Sequence, residues 1–215
     1  MPTKSKTCKK KLSISVESVL QRFAKFNNQR DAEEWLLNYI QNIAKVTNPD
    51  TICAVFDIDG TILRDRDDKP PLCNRMMSSL FQECRKYKIP LFIITARPEG
   101  RDQRKWTVDQ LTKCGYPVGS YVELIMMPLK EWNMTSGNWN FSNYKFLARQ
   151  RIVKQYERSI ILCAGDQWSD TLRIAPCPTT EEERITYDAV KKLSPTGVYV
   201  GSLVDLSWVS IKLPG

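Results

Sequence analysis

The chain reads as an α/β fold, a parallel sheet with helices on both faces, and three observations predict it. Short apolar, β-branched runs recur at 51–57, 89–95, 122–126 and 159–164, long enough for strands and too short for helices. Segments with helical patterning, about 72–87, 101–114 and 143–157, separate them, as in β-α-β units. The runs 52–56 and 160–164 are apolar throughout rather than alternating, the mark of strands buried on both faces.

The elements follow in order. Residues 1–13 form a basic arm, expected to be disordered, with Lys4, Lys6, Lys9, Lys10 and Lys11 and no acid before Glu17. Residues 14–48 read as a helical preface. Val16, Val19, Leu20 and Phe23 make one stripe, and Trp35, Leu36, Tyr39, Ile40 and Ile43 a second. Asp31 with Glu34 looks like a capping box opening the second helix, and Asn48-Pro49-Asp50 ends the region. The catalytic core would span 51–214, closing with a helix near 180–193 and strands at 197–200 and 208–213. A charged loop at 64–69 and a Trp/Asn/Gly/Ser-rich loop at 130–141 interrupt the pattern. Together 14–215 form a single domain.

Composition narrows the chemistry. Hydrophobic residues make up 42% and charged residues 26% of 215 positions, globular values with length enough for a full core. No run of about 18 apolar residues suggests a membrane span, and no apolar signal-peptide core follows the basic start. Seven cysteines form no CxxC pair, so all are expected to be reduced thiols of an intracellular, cytoplasmic or nuclear, protein. There is no histidine, which excludes Ser-His-Asp and Cys-His hydrolases and histidine-ligated metals. Net charge is +8, five charges of it in the arm. The arm therefore reads as a solvated tail or as a nucleic-acid contact.

The most informative stretch is Asp57-Ile-Asp59-Gly60-Thr61. Two carboxylates directly after a buried strand, followed by a turn glycine, stand where open α/β sheets place their ligands. Paired acids there serve packing poorly; a bound cation and phosphoryl or acyl transfer need them. The same edge receives Thr95-Ala96-Arg97 after 91–94 and Gly165-Asp166-Gln167-Trp168-Ser169-Asp170 after 159–164. A phosphate also requires a cation. Lys145 fits: with Ser142 as N-cap it falls in the first turn of a crossover helix, at the active edge. Lys130, in the preceding loop, stays open by spacing alone.

This constellation resembles the haloacid dehalogenase-like hydrolases, whose motifs are DxDGT, a Thr or Ser, a Lys and GDxxxD. The segments Ile94-Thr-Ala-Arg-Pro-Glu99, Tyr144-Lys145, Gly165–Asp170 and Lys212-Leu-Pro214 look closest to the acid phosphatase subfamily IIIB, with class B acid phosphatases and plant vegetative storage proteins. The resemblance implies a Rossmann-like doubly wound sheet and an aspartyl-phosphate mechanism. Asp57 would be the nucleophile and Asp59 the general acid and base. One Mg²⁺ would be held by Asp57, the Asp59 backbone carbonyl, Asp166 and waters. Thr95 and Lys145 would bind phosphoryl oxygens, with Asp170 behind the metal or orienting Lys145. Gly60 and Thr61 would lie against the substrate, and Arg97 reads equally as a phosphate contact or a structural salt bridge.

The stretch between Asp57 and Thr95 is too short for a large inserted cap, so the lid is expected to be slight: a 62–71 flap, the N-terminal helices and loop 130–141. The expected activity is a Mg²⁺-dependent phosphomonoesterase on small phosphomonoesters or nucleotides, with the 130–141 aromatics suiting a base. The alternatives are a polynucleotide-end phosphatase guided by the Lys4–Lys11 arm and a catalytically silent binding or storage protein. No membrane partner is expected, and oligomeric state is not readable.

Overall fold

The structure is a computed structural model that describes residues 15–64, 72–133, 138–171, 181–193, 197–201 and 207–214. The arm and its expected disorder lie outside the described residues. Among the described residues seven strands form one sheet, in the order β1 (Phe23–Phe26), β6 (Val198–Gly201), β7 (Ser207–Lys212), β5 (Ser159–Gly165), β2 (Ile52–Phe56), β3 (Leu91–Glu99) and β4 (Glu123–Pro128). The five strands from β7 to β4 run parallel, while β6 is antiparallel to both neighbours. The fold is α/β with a mostly parallel, helix-flanked sheet, not the wholly parallel one expected.

Alternation along the strands sends side chains to two cores. Ala54, Phe56, Leu91, Ile93, Leu124 and Met126 join α2 (Gln29–Val46), α3 (Arg75–Lys86) and α4 (Arg101–Lys113) on one face. Cys53, Val55, Phe92, Ile94, Ile125 and Met127 join Tyr144, Ala148 and Ile152 of α6 (Asn138–Gln155) on the other. The continuous apolar runs are thus explained. In β5 the register slips by one residue: Cys53 pairs with Ile160 but Ala54 with Leu162. Tyr39 Oη donates to the Ile161 carbonyl at 3.0 Å, giving the bulged residue a partner off the ladder.

Three boundaries differ from the sequence reading. Phe23, assigned there to a helical stripe, begins β1; α1 is only Val16–Leu20, capped by Ser15 with Ser18. Backbone pairing with β6 outweighs a pattern that one helical turn satisfies equally well. The cap of α2 is Asn28, whose side chain accepts from the Asp31 N–H at 3.0 Å, so the box sits one turn before Asp31 and Glu34. Within the supposed loop 130–141, Leu129–Asn133 forms α5, and α6 already begins at Asn138. Ser142 is therefore inside α6, not its cap.

The cysteines require a larger correction. Cys73 and Cys114 are joined in a disulfide with Cα atoms 5.4 Å apart, whereas Cys53, Cys84 and Cys163 are buried thiols; Cys8 and Cys177 lie outside the described residues. Spacing along the chain could not reveal the pair, because tertiary structure creates it. Residues 62–64 and 72–74 form a short antiparallel stem, with Arg64 N–H donating to Leu72 O and Asn74 N–H to Ile62 O. The stem holds Cys73 against the carboxyl end of α4. The bond closes a separation of 41 residues, for which the chain-entropy relation gives about 4 kcal/mol. Reduction or Cys73→Ser is accordingly expected to lower Tm by roughly 10 °C in thermal unfolding; an identical Tm with and without reductant would show the bond open in solution.

Candidate active site at the carboxyl edge of the sheet

Parallel pairing brings the ends of β2, β5 and β7 to one edge: Phe56 pairs with Ala164, and Gly165 with Lys212. Just beyond these ends stand Asp57, Asp166 and Asp170. Asp57 N–H extends the ladder to Ala164 O at 2.9 Å, which fixes where its side chain leaves the sheet. Asp170 is delivered by α7, the single turn Trp168–Thr171. Oxygens of the three acids lie within 4.8 Å of one another, and Asp57 and Asp170 are buried.

Two glycines allow this approach, Gly60 across to the 165–170 motif and Gly165 within it. Gly60 has φ +71°, and a Cβ there would fall 2.5 Å from Asp166 Cγ. A Cβ on Gly165 would overlap the Asp170 side chain. Gly60 thus meets Asp166 directly, a more local reason for glycine than substrate contact.

Lys145 reaches the cluster from the third turn of α6. Its Nζ donates to Asp57 Oδ1 at 2.7 Å and, closely, to Asp170 Oδ1, and the residue is buried. The predicted cation is therefore present although its helix starts earlier than expected. The backbone N–H of Gln167 donates to Asp170 at 2.9 Å and its amide to Asp166 at 3.0 Å. Arg149 donates to the Asp170 carbonyl. Asp170 is thus in direct contact with Lys145, for which the sequence offered two roles, behind the metal or orienting the lysine.

The electrostatics follow from burial. Desolvation pushes the Asp57 carboxyl well above the usual carboxylate range; Lys145 pulls it down, while Asp170 and Asp59 push it further up. Asp166 is raised too, by burial and then by Asp170. Burial alone would lower Lys145, but Asp170 and Asp57 outweigh it and hold it protonated.

Both carboxyls keep protons to higher pH in the folded than in the unfolded protein. The stability they contribute is whole below about pH 4 and is lost as pH rises through their raised folded values. A cation bound by the triad would reverse that loss. The Tm gain from Mg²⁺ is therefore expected to grow as pH rises above about 4, and to vanish in Asp166→Asn. Calorimetry that finds the same Mg²⁺ gain in that variant would remove the triad as the binding site.

The remaining predicted residues are placed as follows. Thr95 is buried near the end of β3, and its Oγ1 accepts the Arg97 N–H at 3.2 Å. Thr61 is fully buried, its hydroxyl without a hydrogen-bond partner among the described residues. The Asp59 carboxylate pairs with Arg97, its Oδ1 2.5 Å from Arg97 Nη2. Arg97 takes the salt-bridge side of its two readings. Lys130 lies in α5, and among the described residues it is Lys145 that pairs with Asp57 and Asp170.

Lys212 was seen in the sequence only as part of a terminal Lys-Leu-Pro. It is buried beside Gly165, donates to Leu213 O at 2.6 Å, and feels both Asp166 and Asp170; burial lowers its pKa. Its position at the end of a strand-like run was the available signal. Thr107 and Gln110 of α4 had none, since their partner is 10–13 residues away.

The aromatic residues pack. Trp132 lies on Phe141 at 5.5 Å, and Trp168 lies on Phe23 at 5.3 Å and Tyr199 at 6.2 Å. The tip of the expected flap, 65–71, and residues 134–137 lie outside the described residues. Among the described residues no helix is long and apolar enough to cross a membrane. No family model and no curated protein matches the chain, so the functional reading rests on the site itself.

Proposed function

We propose that this chain is a Mg²⁺-dependent phosphomonoester hydrolase of the haloacid dehalogenase-like type, acting through an aspartyl-phosphate on small phosphomonoesters or nucleotides. One observation carries the reading. A buried lysine bridges two carboxylates of a three-acid cluster, at the edge where parallel strands end. A binding or storage protein has no use for this much uncompensated desolvation.

The all-oxygen donor set suits a hard cation. Asp57, Asp166, Asp170 and the Asp59 carbonyl would hold Mg²⁺, which would supply positive charge against the phosphate. Lys145 opposes the burial that raises the Asp57 carboxyl and would offer its third donor to a phosphoryl oxygen. Asp57 attacks phosphorus, Asp59 gives a proton to the leaving oxygen and later takes one from water. Thr95 and Thr61 line the phosphoryl site.

The disulfide favours an oxidising compartment over the cytoplasm or nucleus. The reading is tested by phosphate release from aryl phosphates and a nucleotide panel, with Mg²⁺ and with EDTA. Mg²⁺-dependent release is expected; no release from any member would end it.

A further inference from the structure

We infer that Arg97 is a positioning residue that aims the Asp59 carboxyl at the leaving-group oxygen; the inference rests on the reading just given. Between Thr95 and Pro98 the pairing of β3 with β4 slips, so that Ala96 and Arg97 bulge from the ladder. Such bulges re-aim side chains. Here the slip turns Arg97 inward, to 2% exposure. Its Nε donates to Asp59 Oδ2 at 2.9 Å and to Oδ1 at 3.2 Å, and its Nη2 to Oδ1 at 2.5 Å.

The other end of the guanidinium is anchored independently. Nη1 donates to Gln110 Oε1 at 2.7 Å and Thr107 Oγ1 at 3.2 Å, and the Trp106 ring lies 4.6 Å from Cζ. Four of the five N–H groups are engaged, and the plane is fixed by stacking. Arg97 is thus built to hold a carboxylate in one orientation, with α4 as the mount. Asp59 keeps about a third of its side chain exposed, and Oδ2, with a single contact, is the freer oxygen.

The step balances simply. Asp57 Oδ bonds to phosphorus as the P–OR bond breaks, and the Asp59 proton passes to RO. Water oxygen then bonds to phosphorus, the Asp57 O–P bond breaks, and the water proton returns to Asp59. An alkoxide leaving group depends on that proton, whereas 4-nitrophenolate departs without it.

The test compares 4-nitrophenyl phosphate with an alkyl phosphate in Arg97→Met, Arg97→Lys, Asp59→Asn and Arg97→Met/Asp59→Asn. Arg97→Met is expected to lose about 100-fold in kcat on the alkyl ester and under about tenfold on the nitrophenyl ester, with KM nearly unchanged. Lysine cannot reproduce the fork, so Arg97→Lys should show the same selectivity while keeping a buried cation. In the Asp59→Asn background the Arg97 change should cost little more. Equal losses on both esters with raised KM, or additive losses in the double variant, would mean direct phosphate binding and overturn the inference. Failure of both Arg97 variants to fold would assign the residue to the framework and overturn it too. Absence of Mg²⁺-dependent turnover in the parent would instead remove the phosphatase reading, and this inference with it.

Discussion

Asp57→Asn is expected to reduce phosphate release by at least about 10⁴-fold while leaving the fold intact. An amide at that position can neither bond to phosphorus as an anion nor serve as a charged metal ligand. The stability side is the more instructive. Asp57 is buried, and burial is what pushes its carboxyl up; Lys145 works against that, and Asp170 and Asp59 reinforce it. Asparagine has the same shape without the charge, and Lys145 retains Asp170. The Tm is therefore expected to stay within about 3 °C of the parent. Acid-quenched protein incubated with labelled substrate should carry an acyl-phosphate in the parent and none in the variant. A variant that still turns over at the parental rate sinks the mechanism.

Lys145→Met should do the opposite to stability. Lys145 is the shared cation of Asp57 and Asp170, and its own side chain is buried. Removing one partner of a buried pair costs about 3–5 kcal/mol, because the remaining charge is left without compensation. Here two acids are left. The variant should therefore unfold at distinctly lower denaturant concentration at neutral pH, and recover part of the loss as pH falls and the acids take up protons. Adding Asp57→Asn to Lys145→Met should restore stability in part, because one of the orphaned charges is gone. Activity should fall by about 10²–10³-fold, the effect of losing a preorganised charge at the phosphoryl group. Unchanged denaturation midpoints would show that the lysine bears no such charge burden in solution.

These two residues also show what a sequence reveals and what it hides. Asp57, Asp166 and Asp170 were legible because each follows a buried apolar run, and parallel strands must end together. Lys145 was legible for a partly mistaken reason. Its helix was expected to start at Ser142, but the helix begins at Asn138, and the lysine sits further along it. The strand order still delivers it, since a crossover helix must pass the edge. Phe23–Phe26 was misread because four residues fit a helical stripe as readily as a strand; only its pairing with β6 decides. The Cys73–Cys114 pair and the contacts of Arg97 with Thr107 and Gln110 are tertiary in origin, and no local period marks them. Arg97 itself shows the limit well: its residue type allowed two roles, and its pairing with Asp59 at the bulge is visible only in the fold.

The Cys73–Cys114 bond has a topological meaning beyond its contribution to stability. It makes one covalent ring of α3, β3 and α4. Thr95, Arg97, Thr107 and Gln110 all ride on that ring, whereas Asp57 and Asp59 precede it and Lys145, Asp166 and Asp170 follow it. The residues that grip Asp59 are thus on a closed loop of chain, and the acidic triad is on open chain on either side. A single backbone cut within the ring leaves both fragments attached to each other, so the mount of Arg97 can survive a nick that would sever the chain elsewhere.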